Sequence, residues 1–154
     1  MGFRARLNTI LGRTLVLIMS VMVVNVLWQV FTRYVTGNPS AFTDELARYL
    51  MIWIGVLGAA YVSGQNLHVA IDIIPSRAKP KTRLRLKILV TVLILLFVFV
   101  AFVLGGSRLV YISYILGQQS PALQIPLSMV YFILPLSGLL IMYYKITDLI
   151  NLRT

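Results

Sequence analysis

The sequence predicts an all-α integral membrane protein with four transmembrane helices and both termini in the cytoplasm. Its 154 residues are 59% hydrophobic and only 12% charged, whereas a soluble domain is about 45–50% apolar and about 25% charged. Four apolar segments are long enough to span a bilayer at about 20 residues each. Lysine and arginine residues concentrate between these segments, as they do in the cytoplasmic loops of membrane proteins.

The predicted helices cover approximately residues 14–35, 44–64, 80–116 and 126–148, so that residues 1–154 form a single membrane domain. Helices are expected because an isolated strand cannot pair its backbone polar groups in hydrocarbon. The first helix follows Arg4, Arg6 and Arg13 and resembles the start of a signal peptide. Its apolar run is too long and lacks a small-residue cleavage site, so we expect it to be retained.

Residues with special backbone preferences mark the helix ends. Thr43 is the expected N-cap of the second helix. The apolar-rich stretch of residues 67–74 allows a short helix that lies at the membrane interface. Pro80 and Pro126 fit the first turns of the third and fourth helices, where a missing N–H costs nothing. Pro135 predicts a kink within the fourth helix.

The distribution of basic residues predicts the orientation. Two of them, Arg33 and Arg108, lie outside under the proposed topology, and Arg48 lies just inside the second helix. Eleven lie in the tails and the loop assigned to the cytoplasm: Arg4, Arg6, Arg13, Arg77, Lys79, Lys81, Arg83, Arg85, Lys87, Lys145 and Arg153. Cytoplasmic loops carry the excess of basic residues, and the run from residue 77 to residue 87 fits a contact with anionic lipids. The net charge of +10 therefore indicates a membrane surface and no nucleic-acid partner.

Charged residues cluster at the start of the second helix. Asp44 and Glu45 occupy its first turn, where the helix dipole favours anions. Arg48 follows at the spacing that allows it to pair with either carboxylate. These residues either cap the helix at the interface, with Arg48 reaching outward, or form with Arg33 a partly buried structural charge network between the first two helices.

Small residues mark one face of the second helix. At 100° per residue, Gly55 and Ala59 fall on the same side as Asp44 and Arg48. A pair of small residues four positions apart is typical of close helix contacts in membranes. We predict that Gly55 and Ala59 belong to a helix-packing or partner interface.

Polar residues recur every four positions in the first helix, at Asn25, Gln29 and Arg33. Such residues commonly hydrogen-bond between membrane helices. We expect Gln29 or Arg33 to meet Asp44 or Glu45, and we assign Asn25 and Gln29 to the same packing or partner interface as the small residues.

The sequence contains few residues that could catalyse a reaction or bind a cofactor. His68 and Asp72 stand four residues apart, which suits an interfacial hydrogen-bonded pair or, alternatively, a proton relay. His68 is the only histidine and there is no cysteine, which excludes bis-histidine haem, disulfides and zinc sites that need two imidazoles. No acidic residue lies at the middle of a predicted helix, where ion or proton coupling would need one. We expect no cofactor, no metal and no enzymatic activity.

Four motifs together resemble the small membrane subunit of TRAP (tripartite ATP-independent periplasmic) transporters. They are Arg33-Tyr34, the Phe-Thr-Asp-Glu-Leu-Ala-Arg-Tyr block of residues 42–49, the His-Val-Ala-Ile-Asp block of residues 68–72, and the Ser-Pro-Ala-Leu-Gln-Ile-Pro block of residues 120–126. The resemblance covers about two-thirds of the chain. The family often has tryptophan at the position of Phe42 and glutamate at that of Asp44. Both departures keep the chemical type of the side chain, aromatic in the first case and acidic in the second.

The resemblance implies a non-catalytic scaffold in the bacterial inner membrane. Its partners would be a large multi-helix transport subunit, which carries the substrate and sodium sites, and a periplasmic substrate-binding protein. The implied activity is sodium-coupled uptake of an organic acid of the dicarboxylate or sialic acid type. The residues also leave open a second class of protein, a small four-helix multidrug exporter that acts as a homodimer. Such an exporter would need an acidic residue embedded in the membrane. A third class, the membrane anchor of an oxidoreductase, would need metal ligands that this chain lacks.

Overall fold

The computed structural model describes residues 3–37, 40–65 and 80–151. Within these ranges four helical spans are long and apolar enough to cross a membrane, and no strand forms. The predicted all-α class with four spans is therefore confirmed. Several predicted features lie outside the described residues: the stretch 67–74, His68, Asp72, Arg77 and Lys79.

Each span consists of one or more helical elements. The first is α1 (Phe3–Phe31), which continues as a π-helical segment (Thr32–Thr36). The second is α2 (Ala41–Gly64). The third joins α3 (Pro80–Phe97), a π-helical segment (Val98–Gly105) and α4 (Gly106–Ile115). The fourth is made of α5 (Leu127–Tyr131) and α6 (Ile133–Asn151).

Two helix starts differ from those expected from the sequence. The first helix begins at Phe3 and not near residue 14, because hydrophobicity marks only the part that suits hydrocarbon while the helical backbone continues into the polar tail. Thr43 is not the N-cap of α2. Ser40 holds that position in an extended conformation, and the Thr43 hydroxyl donates to the Ser40 carbonyl at 2.8 Å.

Proline explains where the third span starts and where the fourth span is interrupted. α3 begins at Pro80, as the sequence predicts. The fourth span is interrupted at Phe132, between α5 and α6. Pro135 has no N–H to donate to the Tyr131 carbonyl, and its ring would clash with that carbonyl in a continuous α-helix. The kink predicted from Pro135 therefore occurs as a break three residues earlier.

The spans lie side by side in the order first, second, fourth, third. One apolar cluster joins the first, second and fourth spans: Leu11, Ile18, Leu57, Ile133 and Tyr144. Another joins the second, third and fourth spans: Ala60, Val98 and Ile141. Such a row leaves long apolar side chains exposed on its faces, including Leu27 and Met51, which suits a protein solvated by lipid.

Glycines allow the third and fourth spans to pack closely. A Cβ atom at Gly138 would lie 2.8 Å from Phe102 Cβ, and one at Gly106 would lie 3.0 Å from Leu134 Cβ. Larger residues at either position would force the two spans apart, so these glycines serve packing inside the chain.

Candidate partner interface and its polar supports

Glu45 joins the second span to the loop between the third and fourth spans. Its side chain is buried, with the residue only 9% exposed. Oε2 accepts the backbone N–H groups of Ala122 at 2.8 Å and Leu123 at 3.0 Å, and Oε1 accepts the Tyr49 hydroxyl at 2.9 Å. These three donors satisfy the buried carboxylate, and no described residue forms an ion pair with it.

The loop of residues 117–126, called the 117–126 loop below, has a compact backbone of its own. Its turn opens at Gly117, where φ is +56° and a side chain would be strained. The Ser120 N–H donates to the Ile125 carbonyl at 3.0 Å, and the Leu127 N–H donates to the Gln118 carbonyl at the same distance. The link to Glu45 joins residues 77 and 78 positions apart, so no local sequence pattern announces it.

Asp44 and Arg48 form a separate, exposed pair. Their side chains approach to 3.1 Å and are 60% and 69% exposed. Gln29 Nε2 donates to Asp44 Oδ1 at 3.3 Å, which is one of the contacts expected between the first two helices. Arg33 is exposed and makes no ion pair with a described residue. The structure thus divides the proposed charge network into a buried part at Glu45 and an exposed part at Asp44.

Asn25 binds the first span to the second. It is buried, and its Nδ2 donates to the Thr43 carbonyl at 2.8 Å. This hydrogen bond lies at the same end of the protein as Glu45, called the Glu45 end below. The polar stripe of the first span therefore contributes both a buried contact, at Asn25, and an exposed one, at Gln29.

Gly55 and Ala59 face away from the rest of the chain. Among the described residues, a Cβ atom at Gly55 would meet no atom within 4 Å beyond the neighbouring backbone of its own helix, and Ala59 is exposed. Both lie on the side of α2 that carries the exposed Asp44 and Arg48. This face, called the Gly55 face below, is open in the chain and differs in this from the glycines that pack against other spans.

Arg4 ties three spans together at the opposite end, called the Arg4 end below. Its Nη1 donates to Asp148 Oδ1 at 2.7 Å and its Nη2 to the Gly64 carbonyl at 3.0 Å. Its guanidinium carbon lies 5.6 Å from the centre of the Tyr144 ring. Asn8 also donates to the Gly64 carbonyl, at 3.3 Å. Sequence reasoning treats Arg4 only as a topology signal and misses this contact.

The other basic residues near the Arg4 end differ in exposure. Arg85 and Lys87 are exposed on α3, whereas Lys145 is buried, with only 6% exposed. Lys81 and Arg83 fall within α3, and their side chains are not among those described. The available surface for anionic lipids on the described part of this helix therefore includes Arg85 and Lys87.

An apolar cavity of about 700 Å³ lies beside Glu45, between the second span and the loop end of the third and fourth spans. Tyr49, Trp53, Tyr114 and Phe132 contribute to its lining, which includes no charged side chain. An organic acid would need a cation or several donors in such a site. Within residues 3–37, 40–65 and 80–151 no group of three metal-ligating side chains occurs.

Over residues 22–154 the sequence matches the family described as "Tripartite ATP-independent periplasmic transporters, DctQ component". The chain belongs to this family. Membership confirms the resemblance drawn from the sequence motifs, and together with the four apolar spans it supports a multi-pass membrane protein.

Two relatives carry names consistent with the DctQ family. A Haemophilus influenzae protein named as a TRAP transporter small permease protein is 32% identical over 63 residues, which are 41% of this chain and 39% of that protein. The Vibrio cholerae protein named sialic acid TRAP transporter small permease protein SiaQ is 30% identical over 66 residues, which are 40% of this chain and 38% of that protein. The matched part thus spans less than half of each relative.

Proposed function

We propose that this DctQ-family chain is the non-catalytic small subunit of a sodium-coupled TRAP transporter for organic acids in the bacterial inner membrane. In this proposal it scaffolds a large multi-helix transport subunit and helps to dock a periplasmic substrate-binding protein. Family membership supports the proposal, as does the position near helix ends of the acidic residues that the structure describes, Asp44, Glu45 and Asp148.

The observation that carries the scaffold proposal is the open Gly55 face. Gly106 and Gly138 are needed for packing inside the chain, whereas Gly55 contacts nothing that would require a glycine. A small-residue face in a membrane allows another helix to approach closely. We therefore assign Gly55 and Ala59 to the contact with the large subunit, with Asn25 and Gln29 as supports of the same two-helix unit.

The substrate class is proposed from the relatives and from what the cavity lacks. The name of the Vibrio cholerae relative makes sialic acid the first candidate, and a dicarboxylate is the second. The uncharged lining of the cavity beside Glu45 supports a substrate site on another subunit.

The proposed orientation follows from the basic residues. Both termini and the Arg4 end face the cytoplasm, where Arg85 and Lys87 contact anionic lipids. The Glu45 end, with the 117–126 loop, faces the periplasm. In this orientation the Glu45 end gives the binding protein a surface on which to dock.

Co-purification tests the scaffold proposal directly. The chain is expressed with the large membrane subunit of a TRAP transporter from the same organism, and Gly55→Leu is compared with Gly105→Leu. Gly105 is an exposed glycine on the third span whose Cβ would meet only its own helix, at 3.4 Å. We expect Gly55→Leu to reduce the yield of complex while the variant chain still folds, and Gly105→Leu to assemble normally. The opposite result would move the contact to the third span.

Uptake by reconstituted vesicles tests the transport proposal. Complex, binding protein and an inward sodium gradient should together support uptake of labelled sialic acid or a dicarboxylate. This chain alone should support none. Drug efflux from vesicles that contain only this chain would favour the homodimeric exporter instead.

A further inference from the structure

The backbone of the 117–126 loop satisfies most of its own hydrogen bonds, with one important gap. The N–H groups of Ser120 and Gln124 bind carbonyls within the loop, at 3.0 and 2.9 Å. The N–H groups of Ala122 and Leu123 instead meet the Glu45 carboxylate. Both hydrogen bonds are partly buried, and an N–H group that loses its acceptor in such a setting carries part of the cost of an unsatisfied donor. The shape of the loop therefore depends on one side chain that lies outside it.

The Glu45 carboxylate is held firmly enough to serve as a support. Glu45 is buried in the first turns of α2. The Tyr49 hydroxyl, one helical turn later, donates to the oxygen that does not contact the loop. Ser120, which begins the turn, is 1% exposed and accepts the Leu123 N–H through its hydroxyl at 3.3 Å. Loop and carboxylate thus form one hydrogen-bonded unit.

A strained residue shows that the loop is held in a specific shape. Gln124 has a backbone φ angle of +53°, which lies in the left-handed region that residues other than glycine rarely adopt. Such conformations persist where the surrounding contacts enforce them. The adjoining Leu123 is fixed by Glu45, and the Gln124 N–H is fixed by the Ser120 carbonyl.

The outer surface of this loop suits protein recognition. Gln118, Gln119 and Gln124 are exposed, as are Pro121 and Ala122. These side chains offer uncharged donors and acceptors on a backbone that is already ordered. A partner that binds a pre-ordered loop loses less conformational entropy than one that must order it.

We propose that Glu45 is a positioning residue for the docking of the soluble substrate-binding protein. Its carboxylate holds the 117–126 loop in the shape that the binding protein recognises. This inference rests on the proposed function, because it takes the loop to face the periplasm. It adds to that function the residue on which the docking surface depends.

The experiment combines amide exchange with transport. Four variants of the complex are compared with wild type: Glu45→Ala, Glu45→Gln, Tyr49→Phe and Asp44→Ala. Hydrogen exchange is measured over residues 117–126. Uptake into vesicles is measured against the concentration of the soluble TRAP binding protein of the same organism, loaded with its substrate. Asp44→Ala removes a neighbouring exposed carboxylate, and Tyr49→Phe removes a hydrogen bond to Glu45 while leaving both loop contacts in place.

We expect Glu45→Ala to increase amide exchange in the loop at least about tenfold. The concentration of binding protein that gives half-maximal uptake should rise about fivefold or more, because a disordered loop must be ordered on binding. The maximal uptake rate should change little. Glu45→Gln should lie between Glu45→Ala and wild type, since its amide oxygen remains an acceptor. Asp44→Ala should match wild type in both measurements, whereas Tyr49→Phe should lie between wild type and Glu45→Gln, because it removes one hydrogen bond that holds the carboxylate and leaves both loop contacts in place.

The outcomes separate this inference from the proposed function. Wild-type uptake that does not respond to the binding protein would refute the proposed function. If wild type responds but Glu45→Ala does not shift the half-maximal concentration, the inference fails and the proposed function stands. Should Glu45→Ala not assemble, the comparison of Glu45→Gln with Asp44→Ala decides, and equal values for the two would overturn the inference.

Discussion

Removal of Arg4 should destabilise the protein measurably, because one side chain joins the first, second and fourth spans at the Arg4 end. The Arg4 and Asp148 side chains are 24% and 20% exposed. The free energy that their ion pair contributes should therefore lie between the values for an exposed pair and for a buried pair. An exposed pair contributes under about 1 kcal/mol, and breaking a fully buried one costs about 3–5 kcal/mol. We expect about 2 kcal/mol for the pair itself.

The second hydrogen bond of Arg4 adds to this value. Its Nη2 donates to the Gly64 carbonyl at the end of α2, and a hydrogen bond from a charged donor contributes about 1.5–3 kcal/mol when well shielded from solvent. Asn8 also donates to this carbonyl and keeps it satisfied in the variant. Because Arg4 is partly exposed and Asn8 keeps the carbonyl satisfied, this bond adds only about 1 kcal/mol, and Arg4→Ala should lower the free energy of unfolding by about 3 kcal/mol in total.

A double-mutant cycle isolates the pair. Arg4→Ala, Asp148→Ala and the double variant are unfolded reversibly in mixed lipid–detergent micelles, with Arg6→Ala as the control because Arg6 is exposed on the same helix. The coupling energy between Arg4 and Asp148 should be about 2 kcal/mol, the value expected for the pair itself. Additive effects, or an Arg4→Ala variant no less stable than Arg6→Ala, would refute the reasoning.

Three further outcomes are expected. Arg48→Ala should lower stability by under about 1 kcal/mol because its pair with Asp44 is exposed; a loss above 3 kcal/mol in the same assay would show that the pair is buried in the assembly. Gly138→Leu should abolish close packing of the third and fourth spans, since even a Cβ would lie 2.8 Å from Phe102 Cβ, and normal thermal unfolding would contradict this. Cysteines at Ala78 and Gln118 should be labelled from the inside and the outside of cells respectively, and the reverse pattern would overturn the orientation.

Some of this structure follows directly from local sequence. Asn25 and Gln29 lie on one stripe of the first helix, and both bond to residues at the start of the second. Pro80 begins α3 because a proline at the first helical position loses no hydrogen bond. Such features can be read from the sequence because each depends on residues within a few helical turns or on the four-residue repeat.

Contacts between distant parts of the chain could not be derived in this way. The two N–H groups that reach Glu45 belong to a loop whose residues carry no charge, so composition gives no reason to pair them with a carboxylate. Lys145 is one of the basic residues from which the orientation is predicted, yet it is buried. In both cases the outcome depends on which spans are neighbours, and periodicity does not encode the order of the row.

The order of the row also constrains how the chain enters the membrane. The fourth span leaves the ribosome last but takes its place between the second and third. Until then the third span lacks the neighbour that later packs against Phe102. It is the most apolar of the four, so lipid alone can accommodate it. The fourth span brings Ser137 and Lys145, both buried in the finished protein, and these groups arrive only when the surfaces that enclose them are already in the bilayer.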